Sequence, residues 1–100
     1  MMNNIVILQM PLFKKFYKKL PLQKKEIVDQ AIKNIIVNPK LGEEKKGDLY
    51  NVFVYKFKIH HQEMLLAYEW DPTKRILLAL AVHENFYRDL KKNHRTKVLA

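Results

Sequence analysis

The sequence of residues 50–59 is YNVFVYKFKI, and two kinds of side chain alternate along it. Those of the first set are large and apolar: Phe53, Tyr55, Phe57 and Ile59. Those between them are Val52, Val54, Lys56 and Lys58. A period of two residues is typical of a β-strand with one face in the core. This stretch therefore predicts a strand whose aromatic side packs against the core, while its two lysines project from the opposite face.

Two more strands are predicted after this one. Residues 60–63 are expected to form a turn, and residues 64–70 to return as the second strand of a hairpin. Residues 71–74, Asp-Pro-Thr-Lys, turn the chain again. Residues 76–82 are a continuous apolar run, which predicts a third strand in the centre of the sheet.

The first forty residues predict a short strand and two helices. Residues 5–8 are apolar and mostly β-branched, which predicts a strand buried on both faces. Pro11 suits the start of a helix, whose apolar stripe consists of Leu12, Phe13, Phe16, Tyr17 and Leu20. Pro21 interrupts the pattern, and a second helix runs to Asn38-Pro39, with an apolar face formed by Ile27, Val28, Ala31, Ile32, Ile35 and Ile36. The two helices are expected to form an antiparallel hairpin.

The remaining segments complete the predicted fold. Residues 40–48 are the most polar stretch and form a loop, residues 83–92 a short helix, and residues 93–100 a flexible basic tail. The predicted order is β-α-α-β-β-β-α, an α+β fold with the helices on one face of a mainly antiparallel sheet. We expect the other face to be open, and residues 1–100 to form one domain.

Composition narrows the possible partners and the compartment. The chain has 100 residues and a formal net charge of +9, from 19 Lys and Arg against 10 Asp and Glu. This excess favours a polyanionic partner such as nucleic acid, although a solubilising surface would have the same charge. The absence of cysteine excludes disulfides and thiolate catalysis. With no signal-peptide pattern and no membrane-spanning run, a cytoplasmic protein without membrane contact is expected.

Lys56 and Lys58 are the first candidate site residues. Alternate residues of a strand lie about 6.5–7 Å apart, which is close to the step between phosphates along a nucleic-acid strand. The pair is therefore suited to follow a nucleic-acid backbone. A solvated strand face would give the same two lysines.

His83, Tyr87 and Arg88 form a second group. His83 directly follows the predicted strand at residues 76–82, which is expected to place it at the rim of the sheet. An imidazole titrates near neutral pH and can protonate a leaving oxygen, and a phenol one helical turn later can stack on a base. A surface histidine, a packed aromatic and a Glu84–Arg88 ion pair would explain the same residues.

No metal or cofactor site is predicted. His60 and His61 are adjacent in the predicted turn, so their side chains point apart, and no third ligand stands at metal-binding spacing. The sequence also contains no glycine-rich phosphate-binding loop.

Several segments together resemble one known family. The helical hairpin is followed by Lys-Gly-Asp-Leu at residues 46–49, YKFKI at residues 55–59, LLAY at residues 65–68 and LALAVHENFY at residues 78–87. This arrangement, over about residues 10–92, resembles the RelE/ParE superfamily of toxins from type II toxin–antitoxin pairs. The strand with the two lysines and the apolar strand ending in His-Glu-Asn-Phe-Tyr carry most of the resemblance.

The resemblance implies an activity and assigns roles by position. RelE-like members enter the ribosomal A site and cut mRNA by attack of the ribose 2′-OH on the adjacent phosphate, which leaves a 2′,3′-cyclic phosphate without needing a metal. Lys56 and Lys58 match the lysines that stabilise the phosphate. His83 matches a general acid or base, and Tyr87 matches the aromatic that stacks on the mRNA base. Further substrate contacts are expected at Lys46, His60, His61 and Arg88.

The sequence departs from the family pattern at one important position. Active ribonucleases of the family carry an arginine on the strand after the hairpin, where this chain has Leu65. Some members also use a glutamate before the lysine strand, and Glu43 and Glu44 both lie in that region. The missing arginine favours the alternative of a ParE-like toxin, which binds and poisons DNA gyrase without cutting RNA. A generic nucleic-acid-binding module or a degenerate toxin is a third possibility.

Partners follow from the same resemblance and from the charge. A toxin of this kind is held silent by a cognate antitoxin, and the charge of +9 predicts an acidic, partly extended one. The toxin is expected to be monomeric within that complex. For the ribonuclease, mRNA and the ribosome are the other partners, and the basic segment at residues 95–97 is expected to contact rRNA.

Overall fold

The computed structural model describes residues 5–45 and 51–82. The elements are the strand β1 (Val6–Gln9), the helices α1 (Pro11–Lys18) and α2 (Leu22–Val37), and the strands β2 (Glu43–Glu44), β3 (Val52–Ile59), β4 (Gln62–Trp70) and β5 (Lys74–Val82). The α+β class and the predicted order up to β5 are confirmed, but β2 lies where only a loop was predicted. The predicted helix at residues 83–92 and the predicted tail lie outside the described residues.

The five strands form one sheet in the order β1-β5-β4-β3-β2. β3, β4 and β5 are an antiparallel meander, β2 pairs antiparallel with β3, and β1 pairs parallel with β5. The mainly antiparallel sheet is therefore confirmed. β4 is the middle strand, whereas β5, which was predicted to be central, lies between β1 and β4.

The turn between β3 and β4 is shorter than predicted. Ile59 pairs with Gln62, so only His60 and His61 connect the two strands. His60 has a φ of 58°, in the left-handed region that non-glycine residues seldom occupy. Gln62 and Glu63, which were predicted to belong to the turn, are the first residues of β4.

Prolines mark the limits of both helices, as predicted. Pro11 is the first residue of α1, Pro21 precedes the first residue of α2, and α2 ends two residues before Pro39. The Tyr17 hydroxyl donates a 2.8 Å hydrogen bond to Asp29 Oδ1 and so joins the two helices. Neither α1 nor α2 is long and apolar enough to cross a membrane.

One face of the sheet, the helix face, packs against the two helices. It carries Phe53, Tyr55, Phe57 and Ile59 of β3, as the alternation predicts. The buried residues on this side form the helix-side core: Phe13, Val28, Ala31, Ile35, Phe53, Ile59, Met64, Leu66, Tyr68, Leu77 and Leu80. Val28, Ala31 and Ile35 recur at helical spacing, which confirms the predicted apolar face of the second helix.

The opposite face, the lysine face, carries Val52, Val54, Lys56 and Lys58 of β3. The prediction that this face is open is wrong for six of its residues, which are buried. A second buried cluster, the lysine-side cluster, consists of Val52, Val54, Leu65, Ala67, Leu78 and Ala79. These side chains are apolar, so removing them from water stabilises the fold. Leu12, which was predicted to lie in the apolar stripe of α1, packs against this cluster instead.

β1 is an edge strand, and the prediction that it is buried on both faces is wrong. Val6 is 49% exposed and Leu8 is 41% exposed. Among the described residues, β1 pairs with β5 alone. A β-branched run is compatible with an edge strand as well as with a central one, because the residue types favour extended backbone in both places.

A buried arginine fixes the end of α2 against the sheet. Arg75 is 3% exposed, and its guanidinium donates hydrogen bonds to the carbonyl oxygens of Ile35 at 3.3 Å and Ile36 at 3.4 Å. It also donates to the carbonyl oxygens of Asp71 at 2.8 Å and Lys74 at 2.9 Å. A cation at a helix C-terminus is favoured by the helix dipole and by the carbonyl groups that have no partner within the helix. The local sequence carries no signal for this role, because Ile35 and Ile36 lie about forty residues away from Arg75 in the chain.

Candidate nucleic-acid interface

Lys56 and Lys58 are the exposed residues of β3 on the lysine face. In the register of the hairpin, Lys56 pairs with Leu65 and Lys58 pairs with Glu63. Among residues 5–45 and 51–82, neither lysine makes an ion pair within 4.0 Å. The structure therefore presents two ammonium groups to solvent on one sheet face, at the spacing expected for alternate residues of a strand.

Leu65, at the position where the family pattern has an arginine, lies next to Lys56 on this face. Leu65 is completely buried and lies between Lys56 of β3 and Ala81 of β5 in the pairing of the strands. An apolar side chain there packs into the lysine-side cluster instead of supplying a cation. The described part of this face therefore provides lysines alone as cations next to Leu65.

The structure separates the two candidate glutamates. Glu43 pairs with Val54, so it lies on the lysine face, whereas Glu44 pairs with Phe53 and lies on the helix face. Glu43 is one diagonal step from Lys56, a neighbouring position that long side chains can span. The Lys45 ammonium lies 3.2 Å from Glu43 Oε1. Glu43 is therefore the glutamate that can serve a site on this face.

A hydrogen-bonded contact holds the segment before β2. The Tyr68 hydroxyl donates to the Pro39 carbonyl oxygen at 2.6 Å and accepts from the Gly42 amide at 3.1 Å. Burial raises the pKa of the Tyr68 hydroxyl above its ordinary value, and the hydrogen bond from the Gly42 amide opposes this rise. In the sequence, Tyr68 stands out only as part of the family pattern LLAY at residues 65–68. Its pairing with Gly42 depends on contacts 26 residues apart in the chain, for which the sequence offers no signal.

His60 and His61 lie at the same end of the sheet as Lys58. Both are exposed in the turn that directly follows β3. They are therefore accessible to a ligand that extends beyond Lys58, although no contact in the described part of the chain joins them to either lysine.

Four of the predicted site residues fall outside the described residues: Lys46, His83, Tyr87 and Arg88. The last described residue of β5, Val82, pairs with Met64, which in turn pairs with Phe57. The chain therefore leaves β5 at the level of the two lysines. Within residues 5–45 and 51–82, no group of three or more His, Asp and Glu is placed to hold a metal ion.

The comparisons with known proteins agree on one family. The family model described as the ParE-like toxin of type II bacterial toxin–antitoxin systems matches residues 7–91. The chain belongs to this family. Among curated proteins, no sequence matches this toxin significantly.

Solved toxins have the same fold. A free-state mutant of E. coli toxin RelE, with two arginines changed to alanine, has a TM-score of 0.69 and 12% identity, over 95% of this chain and 98% of that one. The Mycobacterium tuberculosis toxin–antitoxin complex RelBE2 has a TM-score of 0.65 and 17% identity, over 80% of this chain and 99% of that one. The YoeB/ParE toxin from Agrobacterium tumefaciens has a TM-score of 0.59 and 14% identity, over 79% of this chain and 99% of that one. At these identities the likeness shows the fold alone, and this toxin resembles both RelE and YoeB/ParE structures.

Proposed function

We propose that this toxin is an endoribonuclease that cuts mRNA in the ribosomal A site without a metal ion. The observation that carries the proposal is the exposure of Lys56 and Lys58, unpaired among the described residues, on the face that also carries Glu43. A cation with a structural role makes ion pairs or hydrogen bonds within the protein, as Arg75 does with the Asp71 carbonyl oxygen. The toxin family and the RelE-like fold are compatible with this function, and both are also compatible with gyrase binding.

The proposed reaction is an internal transfer at phosphorus. The ribose 2′-oxygen attacks the adjacent phosphorus, the bond from phosphorus to the 5′-oxygen breaks, and the products are a 2′,3′-cyclic phosphate and a 5′-hydroxyl. Negative charge grows on the two non-bridging oxygens as the new bond forms. Lys56 and Lys58 are spaced to bind this phosphate and its neighbour, and cations placed where charge develops lower the barrier.

Two proton transfers accompany the reaction. Glu43 is proposed to accept the proton of the 2′-OH, because its carboxylate lies on the lysine face and is 72% exposed. His83, assigned by resemblance, is proposed to give a proton to the leaving 5′-oxygen. Tyr87 is proposed to stack on the mRNA base. Further contacts to the RNA are proposed at Lys46, His60, His61 and Arg88.

A cognate antitoxin is the proposed protein partner. The M. tuberculosis RelBE2 structure is a toxin–antitoxin complex, and this toxin shares its fold. The charge of +9 favours an acidic antitoxin that binds one toxin molecule and covers the lysine face. Toxin and antitoxin are proposed to meet in the cytoplasm, where the ribosomes are.

A gyrase-binding toxin is the second candidate function. The observation that favours it is the burial of Leu65 where RelE-like nucleases carry an arginine. Without that cation, the lysine face is less suited to stabilise a phosphorane. A protein that acts by binding gyrase does not need the arginine.

Primer extension in a cell-free translation reaction tests the proposal. The wild-type toxin should produce discrete cuts in a reporter mRNA that require ribosomes, and Lys56→Ala should leave them undetectable over the same reaction time. Lys33→Ala is the matched control, because Lys33 is an exposed lysine on α2. Intact mRNA with the wild-type toxin, together with inhibition of gyrase supercoiling in a parallel reaction, would replace the nuclease with the gyrase-binding function.

A further inference from the structure

The hydroxyl of Tyr68 makes two hydrogen bonds to the backbone of the segment that precedes β2. It donates a hydrogen bond of 2.6 Å to the carbonyl oxygen of Pro39 and accepts one of 3.1 Å from the amide of Gly42. Tyr68 itself is completely buried in the helix-side core, where its ring stacks on Phe53 at a centroid distance of 5.6 Å. A rigid strand residue thus holds both ends of a segment of four residues.

The contact also requires that residue 42 have no side chain. A Cβ atom at this position would lie 3.0 Å from the Tyr68 hydroxyl oxygen and 3.0 Å from the carbonyl carbon and oxygen of Val54. Few Cβ atoms approach backbone so closely, so a larger residue would push the segment away from β3. Gly42 is buried, and the absence of a side chain allows the backbone of β2 to begin directly against β3.

This contact fixes the residue that follows it. Glu43 is bonded to Gly42 through the chain and pairs with Val54, the residue whose backbone Gly42 touches. β2 has only two residues, so its own ladder is too short to define its position firmly. The Lys45 amide extends the ladder with one hydrogen bond of 2.8 Å to the Val52 carbonyl oxygen. The buried Tyr68 contact therefore supplies the anchor on the other side of Glu43.

We propose that Tyr68, acting with Gly42, is a positioning residue that holds Glu43 at the lysine face. Tyr68 lies on the helix face, so its ring is on the opposite side of the sheet from the proposed RNA site. Its effect on the reaction passes through the backbone of Gly42 to the carboxylate of Glu43. The inference rests on the proposed nuclease function and on Glu43 as the acceptor of the 2′-OH proton.

A double-mutant cycle tests the proposal. The single-turnover cleavage rate on ribosome-bound mRNA is measured for wild type, Tyr68→Phe, Glu43→Gln and the double variant. Tyr68→Phe keeps the ring but removes the hydroxyl, and we expect the rate to fall by about tenfold to a hundredfold, the effect of misplacing a catalytic group by about 1 Å. The affinity for ribosomes should not change. In the Glu43→Gln background, Tyr68→Phe should cause no further loss, because the group that it positions has already been inactivated.

Two measurements keep the test specific. Tyr55→Phe is the matched control, since the Tyr55 hydroxyl also lies on the helix face but accepts from Asn34 Nδ2 at 3.4 Å, whereas the Gly42 amide donates to Tyr68. It should leave the rate unchanged. Amide exchange at Gly42 should become faster in Tyr68→Phe and stay slow in Tyr55→Phe. If Tyr68→Phe does not fold, Gly42→Ala takes its place in the cycle, because it displaces the same segment and leaves the hydroxyl in place.

The outcomes separate this inference from the proposed function. If Tyr68→Phe slows the Glu43→Gln variant by as much as it slows wild type, Tyr68 does not act through Glu43, and the inference is overturned while the nuclease stands. The same holds if Gly42 exchange becomes faster and cleavage is unaffected. If wild type cuts no mRNA, the proposed function fails, and the inference fails with it.

Discussion

The two faces of the sheet differ in how far the side chains of β3 are buried. On the helix face, Phe53 and Ile59 of β3 are buried beneath the helices. On the lysine face, Val52 and Val54 are buried, but the strand then continues into exposed lysines. The difference teaches that a period of two residues identifies the faces of a strand, whereas the change from valine to lysine along one face marks where the packed surface ends and the exposed surface begins.

The cations of the two sides differ in the same way. Arg75 is buried, and its guanidinium donates to four carbonyl oxygens of the protein itself. Lys56 and Lys58 are exposed and form no ion pair with any residue of the described ranges 5–45 and 51–82. A cation without a structural partner is available for an anionic ligand. The comparison predicts that Arg75 matters for stability and the lysines for activity.

Removal of a lysine should have the largest effect on activity. We expect Lys56→Ala to lower the single-turnover cleavage rate by about 10²–10³-fold, the effect of losing one group that stabilises developing negative charge. The melting temperature should stay close to that of wild type, because an exposed side chain is removed. Lys33→Ala on α2 should keep the wild-type rate. Equal losses in both variants would mean that the lysines act only through total charge.

Truncation of Leu65 should show that the lysine face is a packed surface at its centre. Leu65→Ala is expected to lower the free energy of unfolding by about 3 kcal/mol, because a fully buried leucine leaves a cavity. Urea denaturation measures the change. Val37→Ala is the control, since Val37 is 84% exposed and should change stability little. A loss below about 1 kcal/mol for Leu65→Ala would contradict the buried cluster.

Replacement of Arg75 tests the structural role of the buried cation. Arg75→Met keeps much of the side-chain volume but removes the donors for Ile35, Ile36, Asp71 and Lys74. We expect a loss of about 2–3 kcal/mol, because the carbonyl oxygens of Ile35 and Ile36 at the end of α2 lose the guanidinium as a donor. Lys74→Met, which changes the charge by the same amount one residue earlier, should cost less than Arg75→Met. Equal losses would show that charge alone matters.

Alkaline conditions should affect the helix face through Tyr68. Burial raises the pKa of Tyr68 in the folded protein above the ordinary value of 10.0. Its stabilising contribution is therefore complete below pH 10.0 and is lost as the pH rises through the raised pKa, by at most about 1.4 kcal/mol per pH unit. Tyr68→Phe should flatten this part of the curve of unfolding free energy against pH. Parallel curves for wild type and Tyr68→Phe between pH 9 and 11 would count against a raised pKa.

Local patterns predicted most of the fold. The alternation in β3 identified both of its faces, and the prolines with the apolar spacing of Val28, Ala31 and Ile35 identified α2. These features depend on residues that are close in sequence. The resemblance to RelE/ParE toxins also supplied the family, which the match over residues 7–91 confirms.

Features that depend on distant contacts could not be predicted. The choice between Glu43 and Glu44 depends on the register of a two-residue strand. The lysine-side cluster depends on packing against residues distant in the chain, such as Met10 and Leu12. The role of Arg75 requires the end of α2 to meet the turn after β4, about forty residues away in the chain. β1 was predicted to be buried from its composition, but an edge strand can have the same residues. His83 and Tyr87 remain predictions.

The most direct test of the central claim is to identify the ends of the RNA fragments that this toxin releases from ribosomes programmed with a defined mRNA. The reaction is run in the Mg²⁺ buffer that keeps the ribosomes intact, with wild type, Lys56→Ala and Lys33→Ala side by side. We predict 2′,3′-cyclic phosphate and 5′-hydroxyl ends for wild type and Lys33→Ala, and intact mRNA for Lys56→Ala. Intact mRNA with the wild-type toxin, or cutting by Lys56→Ala at the wild-type rate, would contradict the assignment of the lysine face as a nuclease site.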